Sequence, residues 1–348
     1  MNIILDCERM KHPYTGLYEY CYQLGFALQK KINKENLIYY LPSSCSGVFG
    51  DDRKEITQKE LHKFFPARLN ADLMHTTDQL SQYISGNKKI KRLLTIHDLN
   101  FLYEKQGRNS RIKDYLKLVQ KNIDRVDRIV TISNYVKKDI LENLSVGDKP
   151  IDVIYNGCQI LDFENFDNPS YKPTKKFLFS IGTVIPKKNF HVLPGLLVGK
   201  DFELIIAGKT NKDYKEKILD IAKSFNVEDR VKIVGTIPYR DKCWYFKNCT
   251  AFMFPSLAEG FGIPVIEAMY FGKPVFLSSL TSLPEVGGKY AYFFDNFDID
   301  HMRQIFKGGM SDYTANDRYA AIKEHASFFS WDRCADDYYN VYKKVLGK

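Results

Sequence analysis

The feature that most constrains the fold is a repeated alternation of short apolar runs with amphipathic segments. In the first half of the chain, the apolar runs predict strands and the segments between them have helical periodicity. The predicted strands are 2–5, 37–41, 72–75, 93–97, 129–133 and 151–155, and the predicted helices include 16–29, 111–124 and 134–143. This βαβ rhythm implies a parallel sheet covered by helices on both faces.

The rhythm stops at the polar stretch 162–169 and then starts again, so we place the linker between two domains near 161–175. The second set of predicted strands is 177–182, 202–208, 231–235, 251–255, 274–278 and 290–294, with helices such as 213–225 between them. A chain of 348 residues also exceeds the size at which one core usually stops growing. We therefore expect an α/β protein with two Rossmann-like doubly wound domains, 1–162 and 163–330, facing across a cleft. The last segment, 331–348, is expected to form a final helix at 331–345 that packs back on the first domain.

Composition excludes several classes of protein. Hydrophobic residues make up 44% and charged residues 27%, which is typical of a globular chain. The first residues lack the basic lead and long apolar run of a signal peptide, and no stretch approaches the roughly 18 apolar residues of a membrane span. Seven cysteines without a Cys-x-x-Cys pair indicate a reducing compartment. We expect a cytoplasmic protein, soluble or peripheral to the inner face of the membrane.

The net charge of +9 leaves the identity of a charged partner open. The basic cluster 88–92 suits anionic lipid headgroups, a phosphorylated acceptor or simple solvation equally well. Nucleic acid is not expected as a partner, because no basic-aromatic motif of a nucleic-acid module is present.

The segment around Glu259 has the pattern strand, loop, helix. Gly260 and Gly262 let the loop backbone approach a ligand, and Pro264 suits the first turn of a helix. Unpaired backbone amides at the start of such a helix form a binding site for a diphosphate. Glu259 and Glu267 are eight residues apart, one in the loop and one in the helix. Both carboxylates can therefore border one bound molecule and accept hydrogen bonds from its hydroxyl groups.

The run 255–269 resembles the E-x7-E motif of the family 4 retaining glycosyltransferases, which have the GT-B fold. Other landmarks of that family occur in the same order at 14–20, 95–99, 130–133, 182–189 and 281–286. The resemblance covers nearly the whole chain. It implies an enzyme that transfers a sugar from a nucleotide diphosphate donor with retention of anomeric configuration.

The resemblance also implies roles for residues of the second domain. Glu267 would bind the ribose hydroxyls, and Glu259 would lie near the donor sugar. Lys188, helped by Lys187, would neutralise the diphosphate as the glycosidic bond breaks. The backbone amides implied to contact the sugar and phosphates are those of Phe261, Gly262 and Ile263.

In the first domain, the resemblance implies that Gly16 lets a loop approach the donor phosphates and that His97 contacts the donor sugar near the reacting centre. Two departures from the family pattern stand out. The usual Gly-Arg-Tyr run is replaced by residues of which only Tyr20 matches. Thr183 stands where many relatives carry an arginine, which leaves more of the diphosphate charge to the two lysines.

Only the resemblance to the family indicates which sugar nucleotide is the donor and which reaction is catalysed. The stretch 279–286 is similar to that of GDP-mannose-using relatives, which favours a mannosyltransferase acting on a glycan or lipid-linked acceptor in cell-surface polysaccharide synthesis. A UDP-sugar donor stays open, as do a sugar-nucleotide epimerase and a non-catalytic glycan-binding relative. The favoured mechanism is attack on the face that the diphosphate leaves, and double displacement through Glu259 is the alternative.

A metal-binding motif is present only formally. Asp298 and Asp300 match the Asp-x-Asp pattern of metal-dependent glycosyltransferases of the other main fold. They follow a predicted strand and open a helical stretch, where aspartates serve as caps. We therefore expect no metal and no cofactor besides the donor.

Overall fold

The computed structural model describes residues 1–13, 15–64, 70–104, 109–161, 163 and 165–347. The chain divides into two compact units. Unit 1 contains Met1–Gly157 and Phe329–Lys348, and unit 2 contains Cys158–Phe328. The sequence places the divisions after residues 162 and 330, so both structural divisions come a few residues earlier. Part of the expected linker lies outside the described residues.

Local contacts explain the earlier first division. A Cβ atom at Gly157 would lie only 2.3 Å from the backbone nitrogen of Trp331, so this glycine is packed within unit 1. A few residues later, the Tyr239 hydroxyl donates to the Gln159 carbonyl at 3.1 Å and accepts from the Leu161 amide at 3.3 Å. These hydrogen bonds attach the start of the linker to unit 2.

Each unit contains one fully parallel sheet among the described residues. The strands of unit 1 are β1 (Ile3–Asp6), β2 (Leu37–Leu41), β3 (Lys54–Thr57), β4 (Leu73–Thr76), β5 (Lys91–Ile96), β6 (Arg128–Thr131) and β7 (Ile151–Val153). Those of unit 2 are β8 (Lys176–Ile181), β9 (Phe202–Ala207), β10 (Val231–Gly235), β11 (Ala251–Phe254), β12 (Val275–Ser278) and β13 (Tyr292–Phe294). The sheet orders are β3-β2-β1-β4-β5-β6-β7 and β10-β9-β8-β11-β12-β13.

These orders confirm two Rossmann-like doubly wound domains. The strand order reverses between β1 and β4 in unit 1 and between β8 and β11 in unit 2. In such sheets, the crevice at the carboxyl ends beside the reversal point is where ligands bind. The loops after β8 and β11 therefore meet at the expected binding edge of unit 2.

Among the described residues, the last three helices follow the final strand and the others come between strands. Unit 1 contains α1 (Gly16–Gln29), α2 (Phe101–Glu104), α3 (Asn109–Asp124) and α4 (Asn134–Asn143). Unit 2 contains α5 (Lys212–Ser224), α6 (Tyr239–Asn248), α7 (Ile263–Tyr270), α8 (Leu283–Gly287), α9 (Ile299–Ala315) and α10 (Tyr319–Ser327), and α11 (Trp331–Val345) belongs to unit 1. None of the helices in the described part of the chain is long and apolar enough to cross a membrane.

Helix α11 is joined to unit 1 by a buried polar network. The Tyr338 hydroxyl lies 2.6 Å from that of Tyr20 on α1 and 2.9 Å from that of Thr95 on β5. His75 on β4 bonds the Tyr342 hydroxyl at 2.8 Å and Thr95 at 2.7 Å. All of these side chains are buried, so each polar group needs the partner it has. The last helix thereby completes the core of the first unit.

Candidate active site

The loop between β11 and α7 is shaped by one glycine. Gly262 caps α7 with φ +111°, a left-handed conformation that side chains rarely adopt. A Cβ atom there would also lie 2.9 Å from the Leu283 side chain. Pro264 occupies the first turn of α7, where a missing N–H costs no hydrogen bond. The backbone thus turns sharply from the sheet edge into the helix.

Glu259 lies in this loop and is held by several hydrogen bonds. Its Oε1 accepts from the Lys188 ammonium and, at 2.5 Å, from the Ser256 hydroxyl. Its backbone N–H donates to the Thr281 hydroxyl at 3.1 Å. The Ser282 hydroxyl lies 2.9 Å from the Glu259 carbonyl and bonds to it. The carboxylate is therefore fixed in position before any ligand binds.

Lys188 reaches the same point from the loop after β8. It ends a short 3-10 turn, Pro186–Lys188, and its ammonium lies 4.8 Å from the centroid of the Phe254 ring. Gly182 has φ +150°, and a Cβ atom there would lie 3.1 Å from Cε of Lys188. The side chains of Lys188 and Glu259 are only 14% and 13% exposed. A largely buried ion pair thus sits at the binding edge.

The two loops are also joined through their backbones. The Leu257 amide donates to the Lys187 carbonyl at 2.8 Å, and Ser278 on β12 donates to the Ser256 carbonyl at 2.5 Å. The Lys187 side chain is half-buried. The loop after β8 and the loop before α7 therefore form one connected wall.

Glu267 lies one turn into α7 and has a different cationic partner. Its Oε1 accepts from the Lys242 ammonium of α6 at 2.6 Å, and its side chain is 8% exposed. Two carboxylates eight residues apart in the sequence are thus both paired with lysines in unit 2.

His97 follows β5 in unit 1 and is buried. Its Nε2 lies 2.7 Å from the Thr77 carbonyl, which can only accept, so Nε2 carries the proton and Nδ1 is an acceptor. Its backbone N–H donates to the Gln79 side chain at 3.1 Å, and the Tyr20 ring packs edge-on at 4.6 Å. Burial lowers the pKa of the imidazole below its usual value. The His97 imidazole is therefore neutral, and its hydrogen bonds hold it in one orientation.

Gly16 is the first residue of α1 and follows the capping residue Thr15, whose hydroxyl accepts from the Tyr18 amide at 3.2 Å. A Cβ atom at Gly16 would meet no described atom within 4 Å. Packing within unit 1 therefore does not require glycine at this position. Tyr14, which begins the landmark segment, lies outside the described residues.

The structure brings some of the predicted residues together. Lys188 and Glu259 are in direct contact, and Lys187, Phe261, Gly262, Ile263 and Glu267 lie on the same loops or on α7, whereas Gly16 and His97 belong to unit 1. The roles of all these residues stay predictions. Asp298 caps α9 by accepting from the amides of Asp300 and His301 at 3.0 and 3.2 Å.

Sequence reasoning missed four side chains that hold the site. Ser256, Thr281 and Ser282 surround Glu259, and all three lie in segments already singled out by motif, so their nearness to the motif was an available signal. Lys242 lies on α6, a helix whose bounds the sequence did not predict. No pattern along the chain connects it with Glu267.

Comparisons with known proteins give the class. Residues 53–160 match the family described as Glycosyltransferase Family 4, and residues 162–326 match Glycosyl transferases group 1. The two matches together span most of the chain and cover parts of both units. The chain therefore belongs to the family 4 glycosyltransferases.

Individual relatives are distant. The serotype-specific mannosyltransferase WbdA of Escherichia coli is 26% identical over 72% of this chain and 33% of WbdA, so the chain spans about a third of that relative's length. The O-antigen chain mannosyltransferase B of Escherichia coli is 24% identical over 99% of this chain and 100% of the relative. The structure of HepE from Anabaena, in complex with UDP and glucose, superimposes with a TM-score of 0.70 at 15% identity and covers 99% of both chains. That likeness shows the GT-B fold.

Proposed function

We propose that this chain is a retaining glycosyltransferase that moves mannose from GDP-mannose to a hydroxyl of a glycan or lipid-linked acceptor in cell-surface polysaccharide synthesis. The observation that carries the proposal is the Lys188–Glu259 pair beside the start of α7, at the reversal point of the second sheet. Support for mannose and for polysaccharide comes from the names of two Escherichia coli relatives, both mannosyltransferases and one of the O-antigen chain.

The charge arrangement suits a departing nucleoside diphosphate. Negative charge on the diphosphate grows as the glycosidic bond breaks, and a fixed ammonium near it stabilises the transition state more than the ground state. Lys188 is fixed by its carboxylate partner and by the Phe254 ring. The Ile263 amide at the start of α7 adds a further donor, because no intrahelical carbonyl precedes it. The next residue, Pro264, has no N–H, and the Val265 amide already donates to the Gly262 carbonyl at 2.9 Å. Together these groups replace the metal ion that other glycosyltransferases use.

The surroundings of Glu259 favour an electrostatic role over a covalent one. Its Oε1 already accepts hydrogen bonds from Lys188 and Ser256. These contacts use the oxygen as a hydrogen-bond acceptor beside the donor site and not as a nucleophile. In the proposed reaction, a phosphate oxygen of the leaving group takes the proton of the acceptor hydroxyl on the face that it has just left. The new bond then forms on that same face, and the anomeric configuration is kept.

The test is acceptor-dependent release of nucleotide. The protein is incubated with GDP-mannose or with UDP-hexoses, with and without a mannan or lipid-linked oligosaccharide acceptor, and free GDP or UDP is measured. We expect GDP release only when acceptor is present, and Glu259→Gln should abolish it. Turnover of UDP-hexoses but not of GDP-mannose would show that the assignment of GDP-mannose as the donor is wrong. Interconversion of the free donor would favour an epimerase, and no turnover with any donor would favour a glycan-binding protein.

A lipid-linked acceptor would bring the protein to a membrane surface. In unit 1, Lys88, Lys89 and Lys91 are exposed and form a basic surface that suits anionic headgroups. Flotation with vesicles that contain phosphatidylglycerol should carry the protein upward at low salt, whereas neutral vesicles should not.

A further inference from the structure

Lys242 occupies a place where a lysine is unfavourable without a partner. It lies near the start of α6, and the positive end of the helix dipole opposes a cation there. Its side chain is 23% exposed, so the ammonium has also lost much of its hydration. Glu267 compensates, since its carboxylate accepts from the ammonium at 2.6 Å. Burial by itself would lower the pKa of Lys242, but the attraction of Glu267 outweighs it and raises that pKa.

The ammonium is fixed from its other side as well. It lies 4.6 Å from the centroid of the Tyr239 ring, within the range of a cation–π contact. The Tyr239 hydroxyl is hydrogen-bonded to the backbone of Gln159 and of Leu161, which holds the ring in place. Lys242 is therefore held between a fixed aromatic face and the Glu267 carboxylate.

We propose that Lys242 is a positioning residue for the nucleotide donor, which acts by orienting the Glu267 carboxylate toward the ribose of a nucleoside diphosphate. The inference rests on the proposed function, in which Glu267 binds the ribose. A vicinal diol is recognised best by two acceptor oxygens in a fixed plane. Lys242 holds Oε1 and so sets the rotation of the carboxylate, which places the lone pairs that face the diol. No substrate contact by Lys242 itself is needed.

The test compares two ligands that differ only in the ribose hydroxyls. Calorimetry is carried out with the nucleotide that the wild type binds more tightly, GDP or UDP, and with its dideoxy counterpart. The wild type should prefer the ribonucleotide by about tenfold or more, as expected for hydrogen bonds to a charged group. Lys242→Met should lose most of this preference while its affinity for the dideoxy nucleotide is unchanged. Lys242→Arg should keep the preference. Lys247→Met, on an exposed face of the same helix, is the matched control.

The outcomes separate this inference from the function on which it rests. If the wild type and Glu267→Gln both bind the two nucleotides equally, the ribose assignment of Glu267 is wrong and the inference falls with it. If the wild type discriminates, Glu267→Gln does not and Lys242→Met still does, only the role of Lys242 is overturned. An equal loss for both ligands would show a purely structural role and would also overturn it. Should Lys242→Met fail to fold, Lys242→Gln is measured in the same way.

Discussion

Replacing Lys188 by methionine removes one charge from the proposed diphosphate site and keeps most of the side-chain volume. The ammonium lies between the Glu259 carboxylate and the Phe254 ring, and its side chain is 14% exposed, so it acts where water screens weakly. Removing one donor of this kind from a transition-state site costs about 2.7–4 kcal/mol, or roughly a hundredfold to a thousandfold in turnover. Because the additional negative charge on the diphosphate develops only as the bond breaks, the Michaelis constant of the donor should rise much less.

The assay is steady-state release of nucleoside diphosphate over a range of donor concentrations at saturating acceptor. Lys215→Met, on the exposed face of α5, is the control and should behave like the wild type. A Lys188→Met enzyme with unchanged turnover and a raised Michaelis constant would contradict a role for Lys188 in the transition state. That result would mean that the lysine binds the ground state and the transition state equally.

A second variant separates catalysis from folding. Breaking a buried ion pair by removing one partner typically costs about 3–5 kcal/mol, and the partial exposure of Lys188 and Glu259 should reduce this cost. Lys188→Met with Glu259→Gln leaves no unpaired charge, so its melting temperature should lie above that of Lys188→Met alone. Turnover should stay low. If activity returned together with stability, neither the ammonium nor the Glu259 carboxylate would be catalytic, and the pair would be structural.

Three further predictions concern acid stability, a glycine and metal ions. Burial lowers the pKa of His75 from its usual 6.5 to about 3. The contribution of His75 to the free energy of unfolding is therefore intact above pH 6.5. On acidification below pH 6.5, it decreases by up to about 1.4 kcal/mol per pH unit. His75→Gln should therefore lose less free energy of unfolding than the wild type on acidification, and an equal slope would contradict this. Gly208 has φ +138°, and a Cβ atom there would lie 2.0 Å from the Gly182 carbonyl oxygen. Gly208→Ala should therefore lower the melting temperature markedly. An unchanged melting temperature would contradict this expectation. Chelation with EDTA should leave turnover unchanged, because Asp298 already serves as a helix cap. Inhibition that a divalent ion reverses would instead make Asp298 a candidate metal ligand.

Much of the fold could be predicted because it is encoded locally. The bounds of β2, β10, α1, α4 and α11 coincide with the predicted ones, since apolar periodicity alone marks them. Strand β3 was missed because it lies at the edge of its sheet, and its residues Lys54 and Glu55 lack an apolar pattern. The βαβ rhythm implies a helix between β10 and β11, but the bounds of α6 were not predicted, because its aromatic residues Trp244, Tyr245 and Phe246 are consecutive and buried. Its apolar residues therefore do not follow a helical period.

The candidate site was predictable only in part. Glu259 and Glu267 stand in one recognisable segment, and Lys188 follows a strand and a glycine, so pattern and resemblance suffice to select them. The contacts that orient them come from elsewhere in the sequence. Lys242 is 25 residues from Glu267, and only the packing of α6 beside α7 brings the two together. Such partners follow from tertiary packing and carry no local signal.

Front-face attack determines the configuration of the product, so the anomeric linkage reveals the face on which the new bond forms. GDP-mannose is an α-linked donor, so attack from the face that the diphosphate leaves gives an α-linked mannoside, whereas attack from the opposite face gives the β product. The purified product is examined by NMR, in which the one-bond carbon–proton coupling at the anomeric centre distinguishes the two. If another α-linked donor is the one turned over, the same measurement applies to it. We expect an α linkage, and a β linkage from an α donor would contradict front-face attack.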